Sequence, residues 1–267
     1  MNEDERKFHE TVKNLRQDKD STPKNPVTPS DSLKAVHDRL RTRWKDPKWC
    51  AERGIQNAEH SEEEYRHYEI QRRKDVFWNL RGKRYRNCTL ENFKTMSEEQ
   101  VKVQLVMRKY LADLKERILR GTNLILIGPT GTGKDHLIAS LVDPAIDAGF
   151  TVWWTSGAQL WSRMRDSIRE DFDERKVIQS YTKPAVLILS DPVPIVGTLT
   201  SYQQAKLYEI VDTRYNHRRA IWLTINCENS QDASAKLGVP IVDRLRDGAV
   251  SLACNWESHR KTFTPIT

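Results

Sequence analysis

The chain has 267 residues, with 44 lysines and arginines against 37 aspartates and glutamates, and a formal net charge of +7. This length fits one sizeable domain with an appendage, or two small domains. A membrane-spanning helix is not expected, because the sequence has no run of about 18 apolar residues. The amino terminus has no apolar stretch of the signal-peptide kind, and the four cysteines are scattered without a CxxC pair. We therefore expect a cytoplasmic protein without a disulfide framework.

The first part of the chain is polar and has few aliphatic residues. Residues 1–30 hold three proline-containing steps that interrupt any periodic pattern, which predicts a disordered tail. Residues 31–84 are mostly helical in pattern, with scattered aromatic side chains and few aliphatic ones. Such a segment buries little apolar surface by itself. We therefore predict that residues 31–84 form a helical partner-binding region with a basic linker.

From about Tyr85 onward, short apolar runs alternate with amphipathic segments. The apolar runs predict five buried strands, at 124–127, 151–154, 186–189, 221–225 and 250–253. Helical periodicity is found at 98–120, 134–148, 158–170, 200–217 and 238–246. Apolar strands separated by helices indicate a parallel sheet covered on both faces. Residues 85–267 are therefore predicted to form one α/β domain around a five-stranded parallel sheet.

The first predicted strand leads directly into a glycine-rich loop. The segment from Gly128 to Lys134 reads GPTGTGK and matches the P-loop pattern GxxxxGK between a strand and a helix. Its glycines let successive backbone N–H groups point at phosphates, and Lys134 reaches the β- and γ-phosphates. We therefore expect an ATP-binding domain. The predicted nucleotide-binding residues are Gly128, Pro129, Thr130, Gly131, Thr132, Gly133, Lys134, Asp135 and His136.

Two positions depart from the usual P-loop ATPase pattern. Asp135 stands where a Ser or Thr normally offers a hydroxyl to Mg²⁺, and the strand 186–189 ends in Ser190-Asp191 instead of Asp-Glu. One interpretation is that Asp135 takes over the metal contact with Ser190 as its hydrogen-bonding partner. The predicted metal-site residues are then Asp135, Ser190 and Asp191. The alternative is a nucleotide binder that hydrolyses ATP slowly or not at all. The sequence leaves both open.

Several motifs together resemble the helicase-loader and transposition-helper ATPases, the DnaC/IstB-like branch of the AAA+ proteins. The resemblance is carried by Thr89–Phe93, by Gly128–Leu137 and by the closing segments Asp243–Arg246 and Asn255–Arg260. It implies an AAA+ fold without a separate lid domain, in keeping with the short stretch that follows Arg260. It also implies a polar sensor at Asn226, an arginine finger at Arg244 that acts on a neighbouring subunit in a head-to-tail homo-oligomer, and a second sensor at Arg260. With Asp191 as the candidate for activating water, these form the predicted catalytic set.

Basic residues concentrate between residues 72 and 86. This segment holds seven basic residues and one acidic residue, and its net charge of +6 is nearly the whole excess of the chain. Cations that neutralise phosphates and aromatic rings that stack on bases are typical of single-stranded DNA binding. The alternative is a solvated linker whose aromatic residues dock on the ATPase domain. The predicted DNA contacts here are Arg72, Arg73, Lys74, Trp78, Arg81, Lys83, Arg84 and Arg86.

A second predicted DNA contact follows from the family resemblance. Thr200 and Tyr202 loosely match a hydroxyl residue and a tyrosine with which family loaders contact single-stranded DNA. The competing interpretation is that Thr198 or Thr200 caps the helix 200–217 and that Tyr202 packs.

The combined features predict a DNA-replication accessory ATPase that uses ATP and Mg²⁺, binds single-stranded DNA and recruits a replicative helicase. A transposition helper that recruits a transposase is the alternative within the enzyme class. A nucleotide-binding adaptor that never hydrolyses ATP is the alternative outside it.

Overall fold

The computed structural model describes residues 58–169, 173–194 and 197–260. The predicted tail 1–30 and the first part of the predicted helical region lie outside these residues. The chain divides into two compact units between Arg66 and His67, and the sheet, the cores and the site described below lie in the second unit.

The predicted five-stranded parallel sheet is confirmed. The strands are β1 (Leu124–Ile127), β2 (Val152–Ser156), β3 (Val186–Ser190), β4 (Ala220–Ile225) and β5 (Val250–Ala253). Their order in the sheet is β2-β3-β4-β1-β5, and every pairing is parallel. Since parallel strands all end at the same edge, the residues that follow β1, β3 and β4 meet there.

Helices connect the strands and cover the sheet. In chain order they are α1 (Ala58–Arg81), a 3₁₀ turn (Lys83–Tyr85), α2 (Glu98–Ala112), α3 (Leu114–Arg120), α4 (Lys134–Ala139), α5 (Val142–Asp147), α6 (Gly157–Arg169), α7 (Glu174–Thr182), α8 (Ser201–Asn216), α9 (Ser230–Leu237) and α10 (Val239–Arg246). Within the described part of the chain, no helix combines the length and apolar character needed to cross a bilayer.

Two predicted helices are each split into two. The segment 98–120 breaks at Asp113, a residue whose side chain competes with the helical backbone for hydrogen bonds. The segment 134–148 breaks at Ser140 and Leu141, because Pro144 has no N–H to bond to Ser140 and its ring collides with that carbonyl. The structure also contains two helices absent from the sequence prediction, α7 and α9.

The helices α7 and α9 had local signals in the sequence. Asp173 accepts a hydrogen bond from the backbone of Arg175, and Asn229 accepts from the backbones of Gln231 and Asp232. Aspartate and asparagine are favoured N-cap residues. These capping residues marked helix starts that the hydrophobic pattern alone left unassigned.

Alternate residues of β1, β3 and β4 enter two separate hydrophobic cores. Leu124, Leu126 and Trp222 face one core, which also includes Trp78 of α1. Ile125 and Leu223 face the other, which is covered by the later helices. Burial on both faces explains why these strands are almost wholly apolar in sequence.

Candidate nucleotide-binding site

The glycine-rich loop has the geometry that its sequence predicts. It follows β1 directly, and α4 begins at Lys134. Gly131 and Gly133 have φ angles of +85° and +87°, in the left-handed region that favours glycine. A Cβ at Gly133 would lie 2.7 Å from the Phe93 ring, and one at Gly131 would collide with the Ser258 hydroxyl unless that side chain moved. Glycine is therefore required at both positions by the backbone and by close neighbours.

Lys134 is the buried cation of the site, with 6% of its surface exposed. Its Nζ donates hydrogen bonds to the carbonyls of Gly128 at 2.8 Å and Pro129 at 2.7 Å. A third bond, of 2.9 Å, goes to Oδ1 of Asn226. Burial lowers the pKa of Lys134, and the nearby Asp191 opposes that shift. The loop lysine is thus tied directly to the predicted polar sensor.

Asp135 lies at the centre of a hydrogen-bonded chain of side chains. Its Oδ1 accepts from the hydroxyl of Ser190 at 3.1 Å and from that of Thr224 at 2.9 Å. Ser190 in turn accepts a 2.8 Å bond from the indole N–H of Trp154. The sequence analysis expected a hydrogen bond between Asp135 and Ser190, and the structure contains it. Thr224 enters because β3 and β4 pair in register at Ser190 and Thr224.

Asp191 is held in an unusual backbone conformation at the end of β3. Its φ is +44°, and its N–H donates to the carbonyl of Thr224 at 2.8 Å. Its Oδ1 is buried and accepts no hydrogen bond from the described residues. Burial raises the pKa of the Asp191 carboxyl, and the neighbouring Asp135 raises it further, while Lys134 acts in the opposite direction. A buried carboxylate oxygen without a donor, beside a second carboxylate, suits a hard divalent cation such as Mg²⁺.

The closing segment of the described chain packs on the glycine-rich loop. Trp256 donates its indole N–H to the carbonyl of Thr132 at 2.9 Å, and the backbone N–H of His259 donates to the carbonyl of Gly131 at 2.9 Å. The ring of Phe93 lies edge-on to both His136 and His259, with centroids 5.4 Å apart in each pair. The loop is therefore supported by Phe93, which precedes the sheet in the chain, and by Trp256 and His259, which follow it.

These groups surround a pocket of about 310 Å³ at the carboxyl edge of the sheet. The lining residues are Arg84, Tyr85, Cys88, Thr130, Gly131, Gly133, Lys134, Asp135, His136, Asp191, Thr224, Asn226, His259 and Arg260. Most of the predicted nucleotide-binding and catalytic residues are among them. Ser190 lies beneath the pocket, with 3% of its surface exposed. Sequence analysis did not include Tyr85, Cys88, Thr224 or His259, because each enters through tertiary packing and not through a local motif.

Arg244 is absent from this pocket and lies on another face of the domain. Its Nε donates to Asp212 at 2.7 Å, and its guanidinium carbon lies 4.6 Å from the centre of the Tyr208 ring. Asp212 and Tyr208 belong to α8, whereas Arg244 belongs to α10. The guanidinium is therefore fixed by neighbouring side chains at a place separate from the glycine-rich loop of its own chain.

The predicted DNA contacts between residues 72 and 86 have varied surroundings. Trp78 is 2% exposed and donates to Asp143 at 2.7 Å, so its ring is not open to a base. Several cations contact the protein itself: Arg72 pairs with Glu69, Arg73 donates to the Phe150 carbonyl, Lys74 pairs with Asp147, Arg81 pairs with Asp135 and Arg86 pairs with Asp75. Lys83 and Arg84 are exposed, and Arg84 also lines the pocket.

Thr200 and Tyr202 lie at the beginning of α8. Thr200 is the N-cap of this helix and forms a capping box with Gln203. Tyr202 is 39% exposed, and its hydroxyl donates to Glu174 at 3.0 Å. Glu174 also pairs with Lys206 at 2.8 Å. The helix-capping interpretation of Thr200 therefore describes its contacts in the structure.

The parallel sheet, the P-loop and the polar strand ends define a P-loop AAA+ ATP-binding domain. The family model "IstB-like ATP binding protein" matches residues 31–264, and the chain belongs to this family. Among curated proteins, the chain is 27% identical over 219 residues to the replicative helicase loader DnaC of Escherichia coli K12, covering 81% of this chain and 86% of that protein.

Two further comparisons bear on the family. The chain is 29% identical over 177 residues to a putative insertion sequence ATP-binding protein of Sinorhizobium fredii, covering 65% of this chain and 57% of that one. A crystal structure of the DnaC helicase loader superposes with a TM-score of 0.57 at 23% identity, covering 64% of this chain and 99% of that chain. The structural likeness supports the fold, and the sequence likeness supports an ATP-binding role in the replication-accessory class.

Proposed function

We propose that this protein is a cytoplasmic helicase loader that binds single-stranded DNA and a replicative helicase under the control of ATP. The observation that carries the proposal is the set of three bonds from Lys134, which joins the P-loop to the sensor Asn226. A phosphate oxygen competes for the same ammonium group, because charge-assisted bonds to an anion are stronger than bonds to neutral carbonyls. Nucleotide binding would then release Asn226 and change the end of β4.

The pocket contains the groups that ATP hydrolysis requires. Asp135 would hold Mg²⁺, which when bound supplies positive charge that offsets the phosphates, and Asp191 would lie near the metal. Asp191, with its raised pKa, is the candidate to accept a proton from the attacking water, and Asn226 would orient that water. Arg260 lines the pocket and would contact the terminal phosphate.

A second subunit would complete the site. Arg244 lies outside the pocket of its own chain, where a guanidinium is free of steric conflict with its own nucleotide. In a head-to-tail homo-oligomer, Arg244 of one subunit would reach the phosphates bound by the next. ATP would in this way favour assembly, and hydrolysis or release would dissolve it.

For DNA, we propose contacts by the exposed cations Lys83 and Arg84, with Arg86 and Arg72 at either end of the basic segment. Arg84 also lines the nucleotide pocket, so it would lie close to both the DNA and the nucleotide. Tyr202, at the start of α8, is a further candidate because more than a third of its surface is exposed.

Single-stranded DNA binding with and without ATP tests this proposal, with fluorescence anisotropy of a labelled oligonucleotide as the measurement. We expect ATP to tighten binding in the natural protein and to have no effect on Lys134→Ala. Retention of ATP-dependent binding by Lys134→Ala would refute the switch. A mixture of Lys134→Ala and Arg244→Ala subunits should regain hydrolysis that neither has alone, because each supplies what the other lacks. Arg246→Ala, on the same helix as Arg244, is the matched control.

A transposition helper is the second candidate function, favoured by the family match and by the insertion sequence relative. Affinity capture with the host's replicative helicase and with a transposase encoded beside the gene separates the two. Capture of the transposase in place of the helicase would assign the helper function while leaving the nucleotide switch intact.

A further inference from the structure

Arg81, the last residue of α1, lies beside the P-loop carboxylate. Its NH2 is 3.9 Å from Oδ2 of Asp135, a charge contact longer than a hydrogen bond. The side chains are mostly enclosed, with 19% of Arg81 and 25% of Asp135 exposed. Salt screens a charge pair less when it is removed from water, so this pair acts on the pocket more strongly than a surface pair would.

Two aromatic rings hold the guanidinium in this position. The guanidinium carbon lies 4.3 Å from the centre of the Trp154 ring and 5.3 Å from that of Tyr85. The two rings stack on each other with centroids 5.7 Å apart. Trp154 is in turn fixed by its bond to Ser190, which also donates to Asp135. Trp154 therefore contacts the guanidinium of Arg81 directly and is linked through Ser190 to the carboxylate of Asp135.

Phosphate binding in this pocket requires a cation that offsets the charge of Asp135. Asp135 and Asp191 place two carboxylates next to a site for polyphosphate, with Lys134 as the buried cation between them. A hydroxyl residue at position 135 would add no charge, whereas the aspartate repels phosphate. Arg84 and Arg260 also line the pocket, but both are exposed.

We propose that Arg81 is a positioning residue that neutralises Asp135 and so allows phosphate to bind beside a carboxylate. This rests on the proposed nucleotide site and adds a residue from outside the P-loop motif. Because Arg81 ends α1, nucleotide affinity depends on the position of that helix end. A movement of α1 that withdrew Arg81 would expose the phosphates to the charge of Asp135 and weaken their binding.

The test is a binding cycle with a fluorescent ADP analogue, measured in Mg²⁺ and in EDTA. We expect Arg81→Gln to weaken binding about tenfold in EDTA, where no metal offsets Asp135, and by less than about threefold in Mg²⁺. In the Asp135→Asn background the same substitution should change binding by less than about twofold. Arg81→Lys should retain most of the affinity of the natural protein, because it keeps the charge.

Arg117→Gln is the matched control, since Arg117 also pairs with a carboxylate at 3.2 Å and lies over a tyrosine ring, at 5.1 Å, but outside the pocket. An equal loss with and without Asp135 would overturn the proposal, because Arg81 would then act on phosphate directly. A loss of the same size in Mg²⁺ and in EDTA would overturn it too. Failure of the natural protein to bind the analogue at all would instead refute the nucleotide site itself. Thermal melting of each variant shows whether it is folded. Arg81→Lys keeps the charge, so a comparison with Arg81→Gln separates loss of charge from loss of folding.

Discussion

Asp135 stands where P-loop ATPases usually have a hydroxyl, and Ser190 stands where they usually have a carboxylate, so the two positions have exchanged chemical types. This exchange predicts that substitutions at the two positions are strongly coupled in their effect on the free energy of unfolding. In Ser190→Asp a second carboxylate would be placed beside Asp135, at a position now 3% exposed and with 3.1 Å between the present hydroxyl and carboxylate oxygens. Asp135→Thr removes the original carboxylate. The double substitution restores the arrangement usual in P-loop ATPases, with one carboxylate and one hydroxyl.

The structure sets the size of the expected coupling. Two unit charges 3.1 Å apart repel by about 5 kcal/mol at an effective dielectric constant of about 20. Protonation limits this repulsion, because protonating an ordinary aspartate at pH 7 costs about 4 kcal/mol. The contact with Arg81 offsets part of the remainder. We therefore expect a coupling of about 3 kcal/mol at pH 7, which falls to about 1 kcal/mol at pH 5 as protonation becomes easier.

Urea unfolding of the four proteins, at pH 7 and at pH 5, measures this coupling. Ser190→Asn serves as a control, because it adds a side chain of similar size without the charge. The Ser190→Asp variant should be the least stable at pH 7, and adding Asp135→Thr should recover most of the loss. Additivity within about 0.5 kcal/mol, or a coupling that does not change with pH, would refute the charge-exchange reasoning.

Three further results are expected. Lys134→Ala should abolish detectable binding of a fluorescent ATP analogue in an equilibrium titration, since it removes the buried ammonium; binding within about twofold of the natural protein would contradict this. Asp191→Asn should stabilise the protein by about 1–3 kcal/mol at pH 7, because it neutralises a buried oxygen without a donor, while abolishing hydrolysis. Since the folded pKa of Asp191 is raised, the penalty is present at neutral pH and disappears as the pH falls through that pKa, so the two melting temperatures should converge in acid; a constant difference would be contrary evidence. Arg214→Met should destabilise by about 3–5 kcal/mol in urea unfolding, because Arg214 is fully buried and its loss leaves the carbonyls that join α7, β3 and β4 without their donor. Its control is Arg219→Met, which loses one bond to Thr182, and equal effects of the two would be inconsistent with this account.

Local sequence patterns predicted the sheet and the P-loop closely. The strands β1, β3 and β4 are apolar because both of their faces are buried, so their pattern does not depend on which neighbours they have. Helix boundaries were predicted less well, since Pro144 and Asp113 break segments whose hydrophobic periodicity continues across them. The basic segment shows the same limit, because its cations could be counted, but the carboxylate partners of Lys74 and Arg81 lie far away in the chain, at Asp147 and Asp135.

The sequence by itself determined the α/β class and the P-loop, and it gave the hydrogen bond between Asp135 and Ser190 as one of two interpretations that it left open. These depend on residue types at fixed spacing, or on two anomalies that complement each other. Only the tertiary structure decided that Thr224 also bonds to Asp135, that Trp78 is buried, and that Arg81 lies beside the nucleotide pocket. Each of these depends on the order of strands and on how α1 packs, which bring together residues separated by many positions. The positive charge of the chain, visible in its composition, thus includes one guanidinium that lies next to a carboxylate of the candidate nucleotide site.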